Sequence, residues 1–225
     1  MTEKSIEVSD GSARSLQRRA LVAGVLRDRG QLLVVAGLGS PCWDVAAAGD
    51  EARNFYVWGA MGGASMVALG LALARREDRV LAIVGDGEML MGLGSLPTIG
   101  AKRPSNLAIL VLDNERYGET GNQPTHTASG VDIARVARCC GFAVTRVIAR
   151  PEEVTSARSD LLGATGPAII VAKIGTDPAP LVLPPRDGPY LKDRFRHALL
   201  GEHSVPRPPP EGPLLPLHER TVTGG

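Results

Sequence analysis

Cysteines, aromatic residues and an excess of either charge are scarce in this 225-residue chain, and each scarcity excludes something. Three cysteines occur, Cys42, Cys139 and Cys140, and no two of them form a CxxC pair. Adjacent thiols cannot wrap one metal ion, so neither a disulfide scaffold nor a zinc or iron–sulfur site is expected. The three read as small buried hydrophobes. Lys and Arg total 25 against 24 Asp and Glu, so no global field draws the chain to nucleic acid or to an anionic membrane. No run of about 18 apolar residues is present to span a bilayer. The stretch Met1–Asp10 is polar and mixed in charge, without the basic-then-apolar order of a secretory signal, and the chain reads as cytoplasmic. Nucleotide fingerprints fail as well. Gly37-Leu38-Gly39 meets Cys42 where GxGxxG needs its third glycine, Gly85-Asp86-Gly87 meets Leu90, and no GxxxxGK(S/T) loop occurs.

What is there is a 44% hydrophobic sequence, long enough for one sizeable domain and laid out as alternating elements. Short apolar runs predict buried strands over 32–36, 80–84, 107–112, 143–148 and 168–172. Amphipathic or small-residue stretches predict helices over 11–29, 61–76, 89–100, 131–141 and 151–163, with a kink or early break at Pro97. This alternation implies an α/β fold, a doubly wound, mostly parallel sheet flanked by helices. Residues 115–129 are polar and lack periodicity, the mark of a long functional loop. The body extends over 1–175. From Thr176 onward prolines crowd, so 176–225 is expected to be a proline-rich tail, partly extended or disordered, with an incidental surface helix over 191–200.

In open α/β sheets ligands bind at the C-terminal ends of the strands. Three loops are predicted there: 37–41, 85–88 and 113–127. In Gly85-Asp86-Gly87 two glycines allow a tight turn, and the next helix start offers N–H groups suited to phosphate. Asp86 would repel that phosphate unless a cation lay between them, and a hard ion such as Mg²⁺ resolves the conflict. Asn114, separated from Gly87 by 26 residues and also at a strand end, can supply a neutral oxygen.

This arrangement resembles the diphosphate–magnesium motif of thiamine-diphosphate enzymes. The wider text is similar to sulfopyruvate and phosphonopyruvate decarboxylases, above all to the β subunit of the two-subunit sulfopyruvate enzymes. The strings that carry the resemblance are Gly59-Ala60-Met61-Gly62, Leu69-Gly70-Leu71-Ala72, Gly85-Asp86-Gly87, Gly94-Ser95-Leu96-Pro97-Thr98-Ile99-Gly100, Asp113-Asn114, Tyr117-Gly118 and Thr120-Gly121-Asn122-Gln123-Pro124-Thr125. They lie within residues 14–175. The resemblance implies thiamine diphosphate and Mg²⁺ as cofactors. Asp86 and Asn114 would ligate the metal by side chain and Arg116 by its backbone carbonyl. Gly85, Gly87 and Glu88 would form the diphosphate turn, with N–H groups from Gly87 and Glu88. Gly39 and Ser40 would meet the diphosphate from the other side, and Tyr117 and Gly118 would complete the wall. Gly59 and Met61 would hold the aminopyrimidine edge, and Met61 would prop the cofactor into a bent shape. In that shape the cofactor's own amino group acts as an intramolecular base, while the protein holds, bends and desolvates it. Glu88 departs from the small residue usual at its position; its carboxylate is unfavourable beside a diphosphate unless it points away or pairs.

The resemblance also implies a glutamate on a second, pyrimidine-binding module. Glu51 and Glu77 lie in charged, surface-like stretches, so a separate α-type partner subunit is expected to supply it, in a hetero-oligomer with two or more copies of each chain. His126 and Thr120 are the candidate catalytic residues toward a small 2-oxoacid substrate. His126 reads equally as an exposed loop histidine, and Thr120 and Glu119 carry the same ambiguity. A carboligase of the acetolactate-synthase kind and a non-catalytic regulatory subunit remain open alternatives. A 2-oxoacid oxidoreductase β chain is disfavoured by the lack of spaced cysteines.

Overall fold

A computed structural model of the chain describes residues 16–204, with only the backbone of Glu202. The elements run α1 (Arg18–Leu26), β1 (Leu33–Ala36), α2 (Ser40–Ala48), β2 (Asn54–Tyr56), α3 (Ala64–Ala74), β3 (Val80–Gly85), α4 (Asp86–Met91), α5 (Ser95–Lys102), β4 (Leu107–Asp113), β5 (Arg116–Tyr117), β6 (Gln123–Pro124), α6 (Ile133–Cys139), β7 (Val144–Ile148), α7 (Val154–Gly163), β8 (Ala168–Lys173) and α8 (Gly188–Leu200). Six strands form one sheet in the order β2-β1-β3-β4-β8-β7, parallel throughout.

The strands read as unbroken apolar runs because the sheet is covered on both faces. Val34, Leu81, Leu110 and Ile170 pack in one core with residues of α1, α2 and α7, among them Val25, Val45 and Leu161. Their neighbours Val35, Ala82, Ile109 and Val171 pack in the other core with α3, α5 and α6, against Ala68, Ile99 and Ala137. The chain leaves β1 toward the first face and leaves β3 toward the second. Since β1 and β3 are adjacent, their C-terminal loops part and a crevice opens between them.

Several expectations are corrected. The helix over 89–100 is two helices, broken at residues 92–94 by Gly92 and Gly94 rather than at Pro97. Pro97 lies in the first turn of α5, where its missing N–H is harmless. The loop over 115–129 contains the antiparallel pair β5–β6 and a 3₁₀ turn, His126–Ser129. Both α2 and β2 escape the sequence reading. The helix starts with Ser-Pro directly after a glycine turn, and the strand has only three residues.

Residues 191–200 do not form an incidental surface helix. The helix begins earlier, at Gly188, with Asp187 capping the N–H of Tyr190 at 2.9 Å. It buries Leu191 and Phe195. Phe195 packs on Phe55 of β2 with ring centroids 5.4 Å apart, and Arg194 takes both oxygens of Asp50 at 2.7 and 3.0 Å. This helix covers the sheet edge at β2, which would otherwise present unpaired backbone. The proline-rich stretch leading to it is tied down where Trp58 Nε1 donates to the Pro185 carbonyl at 3.1 Å. The tail beyond residue 204 and the first part of the helix expected over 11–29 lie outside the described residues.

Candidate functional site

A cavity of about 350 Å³ occupies the crevice. Its wall is built from the β1–α2 turn (Leu38, Ser40, Pro41), the β3–α4 junction (Gly85 to Glu88), Asn114 after β4, and the β5–β6 hairpin from Arg116 to Thr120. Met61 and Met91, both exposed, also line it. A larger groove of about 1240 Å³ lies between α1 and α7, but no C-terminal end of a sheet strand reaches it. The smaller cavity, where polar groups converge, is therefore the functional candidate.

Strand β3 ends at Gly85 and passes straight into α4, so Asp86 is the first residue of a helix set directly on a strand end. Its side chain is buried, and Oδ2 accepts the Thr125 hydroxyl at 2.6 Å, with the Thr127 hydroxyl at 3.4 Å. The two hydroxyls stand 2.8 Å apart, and Thr127 donates to Asp113 Oδ1 at 2.8 Å. Burial raises the Asp86 carboxyl above the usual carboxylate range; the Thr125 hydrogen bond opposes the rise and the nearby charge of Asp113 adds to it. Among the described residues no cationic side chain contacts this carboxylate.

Asp113 organises the opposite side. It accepts the Glu115 N–H at 3.1 Å and pairs with Lys173 Nζ at 2.8 Å. Lys173, its register partner on β8, also holds Glu115 Oε1 at 2.6 Å. Burial opposes the charge of Lys173, but the two carboxylates outweigh it and raise its pKa. Glu115 is left-handed at φ +61°, and Asn114 Oδ1 accepts the Arg116 N–H at 3.0 Å. The turn that carries Asn114 and the Arg116 carbonyl is thereby fixed. The hairpin then brings Thr125 back to Asp86, through Thr125 N–H to the Glu115 carbonyl at 2.9 Å.

Glu88 faces neither an arginine nor solvent. Its carboxylate is buried beneath Gly37, where any Cβ would collide with it, and accepts the N–H of Leu38 at 2.9 Å and of Ala64 at 3.4 Å. It therefore ties the β1–α2 turn to the start of α3. Burial raises its pKa, and these N–H bonds oppose the rise. Two further glycines near the cavity leave little room for a side chain. Gly39 has φ +75° and a Cβ there would press on the Glu119 carboxylate; a Cβ on Gly87 would strike the Tyr117 ring.

Of the residues singled out from sequence, Ser40, Met61, Gly85, Asp86, Gly87, Glu88, Asn114, Arg116, Tyr117, Gly118 and Thr120 all line the one cavity, as does Glu119. Gly39, Gly59 and His126 do not: Gly39 is buried at the head of α2, and Gly59 and His126 are exposed. Sequence reasoning missed Arg18, Asp113, Thr125, Thr127 and Lys173. The alternation Thr125-His126-Thr127 was a usable signal for the threonines. Lys173 had none, because its place depends on strand register. Among the described residues no cluster of three or more His, Cys, Asp or Glu could hold a metal, so any ion here must draw on amide and carbonyl oxygens and on its own ligand. No helix among them is long and apolar enough to cross a membrane.

Residues 42–172 match the family model described as thiamine pyrophosphate enzyme, C-terminal TPP binding domain. The chain is 46% identical over 110 residues to sulfopyruvate decarboxylase subunit beta of Methanocaldococcus jannaschii, covering 49% of this chain and 58% of that one. It is 33% identical over 215 residues to phosphonopyruvate decarboxylase of Streptomyces viridochromogenes, covering 93% of this chain and 52% of that one. Thus it spans little more than half the length of these relatives. The fold is shared with benzoylformate decarboxylase of Polynucleobacter necessarius, at a TM-score of 0.61 and 21% identity over 80% of this chain and 36% of that one. The chain accordingly belongs to the thiamine pyrophosphate enzyme family, through its C-terminal TPP binding domain.

Proposed function

We propose that this chain is the thiamine-diphosphate-binding subunit of a non-oxidative decarboxylase acting on a small 2-oxoacid with a second anionic group, of the sulfopyruvate or phosphonopyruvate kind. The observation that carries the reading is the buried Asp86 carboxylate, which no cation contacts among the described residues, at the strand-to-helix junction of the crevice.

The residues present fit the cofactor. Threonines occupy Asp86 Oδ2, and no described side chain bonds its other oxygen. Asp86, Asn114 and the Arg116 carbonyl form an all-oxygen set suited to Mg²⁺. The N–H groups of Gly87 and Glu88, with Gly39 and Ser40 opposite, would hold the diphosphate. Because the Glu88 side chain is engaged with Leu38 and Ala64, its charge is directed away from that anion. Met61, with Gly59 beside it, would support the aminopyrimidine, and Tyr117 and Gly118 would wall the cofactor. When bound, thiamine diphosphate supplies the electron sink that lets CO₂ leave a 2-oxoacid. Thr120 on the wall and His126 on the exposed side of the same loop would meet the substrate.

A partner subunit carrying the pyrimidine-binding module and its glutamate completes the reading. Two observations support it. Helix α3 is apolar on nearly every side and exposes Met66, Val67 and Leu73, as is characteristic of a helix covered by another body. The Streptomyces relative carries nearly as much chain again beyond the matched part. We place the assembly in the cytoplasm.

Calorimetric titration with thiamine diphosphate tests the cofactor site. Binding is expected to require Mg²⁺ and to vanish in Asp86→Ala; unchanged affinity in that variant would contradict the metal assignment. With the partner present, sulfopyruvate or phosphonopyruvate should release CO₂ and free aldehyde, whereas a 2-hydroxyketone product would mark a carboligase.

A further inference from the structure

Arg18 opens α1 and lines the cofactor cavity, although it lies far in sequence from every motif. Its side chain is 13% exposed, and its Nε lies 3.4 Å from Oδ2 of the fully buried Asp44. Arg19 Nε takes the other oxygen of Asp44 at 3.1 Å, while its Nη1 turns away to the Pro180 carbonyl at 2.6 Å. Two guanidinium groups thus share one buried carboxylate, which leaves a surplus positive charge, and of the two it is Arg18 that lines the cavity. Among the described residues Arg18 makes no hydrogen bond, so the donors of its guanidinium are uncommitted.

The other charged residues along the wall are Asp86, Glu119, Arg116 and Glu88, the last with its carboxylate engaged by the N–H groups of Leu38 and Ala64. Arg116 is exposed. A diphosphate entering this cavity with one divalent ion still carries negative charge, and it meets the negative Asp86. We propose that Arg18 is the diphosphate-recognition residue of this site, held in place beforehand by Asp44. A guanidinium fork matches phosphate oxygens, and anchoring by Asp44 reduces the ordering that binding would otherwise require. The inference rests on the cofactor reading above and adds to it a binding residue outside the metal and diphosphate motifs.

The test uses the full-length chain isolated from its own host with any subunit that accompanies it. Thiamine diphosphate is titrated calorimetrically in Mg²⁺ against wild type, Arg18→Gln and Arg18→Lys, and urea unfolding is followed without cofactor. Arg18→Gln is expected to bind about 10- to 100-fold more weakly, the range carried by a hydrogen bond to a charged group. Arg18→Lys should recover part of the loss, with unfolding midpoints close to wild type because Arg19 still holds Asp44. Wild-type affinity in Arg18→Gln would overturn the inference. So would a loss of affinity that follows a lowered unfolding midpoint and is not recovered by lysine. Failure of the wild-type protein itself to bind would overturn the cofactor reading, and this inference with it.

Discussion

Replacing Lys173 by methionine should destabilise the fold through Asp113. The methionine keeps the length and apolar stem of lysine and removes only the charge. Asp113 then stays at the end of β4 with 1% of its side chain exposed, retaining the Thr127 hydroxyl and the Glu115 N–H but no cation. Removing one partner of a fully buried pair costs about 3–5 kcal/mol, and an exposed pair contributes about 0–1 kcal/mol. Lys173 is 35% exposed, so this pair lies between the limits and a loss of about 2 kcal/mol is expected. The assay is urea unfolding followed by fluorescence of Trp43 and Trp58. A second variant makes the reasoning specific. Asp113→Asn preserves the acceptor for Thr127 and removes the stranded charge, so Asp113→Asn with Lys173→Met should regain more than half of the loss. Stability within about 0.5 kcal/mol of wild type in Lys173→Met, the scatter of ordinary surface substitutions, would refute the reasoning. So would a double variant no better than the single one.

Other outcomes follow from the same contacts. Thr125→Val removes the donor that fixes Asp86 Oδ2, and should raise the Mg²⁺ needed for half-maximal cofactor binding by about tenfold, the effect usual for a residue orienting a metal ligand; an unchanged Mg²⁺ requirement would contradict this. Phe195→Ala should destabilise by about 3 kcal/mol in the same urea assay, since it empties the contact between α8 and Phe55. A change near zero would show that α8 is dispensable to the body. Burial pushes the Cys42 thiol far above its ordinary pKa, and its Sγ lies 2.9 Å from the Gly37 carbonyl. Thiol labelling at mildly alkaline pH, read by mass spectrometry, should modify exposed Cys139 and reach Cys42 only after unfolding.

Much of this architecture was legible because parallel strands buried on both faces leave unbroken apolar runs, as in Val80–Gly85 and Leu107–Asp113. The candidate site was legible where chemistry is local: Gly85-Asp86-Gly87 marks in a few letters the end of a strand and a carboxylate that the fold buries at the following helix start. Short elements without periodicity escaped, namely β2 with its three residues and α2 with proline in its first turn. Interactions that depend on register or on distant pairing escaped too. Lys173 meets Asp113 only because β8 aligns with β4, and Arg18 reaches the cavity from the opening helix. Glu88 was visible as an anomaly, but its resolution required knowing that Leu38 and Ala64 present N–H groups to it. The tail illustrates the limit of composition: it suggested extended chain with an incidental surface helix over 191–200, whereas Leu191 and Phe195 at helical spacing bury that helix against the sheet edge.

The most direct measurement of the central claim is a native mass spectrum of the tagged chain isolated from its own host. A complex with a second chain of similar size, carrying thiamine diphosphate and Mg²⁺, is the expected result. A homo-oligomer without cofactor, in buffer containing both, would contradict it.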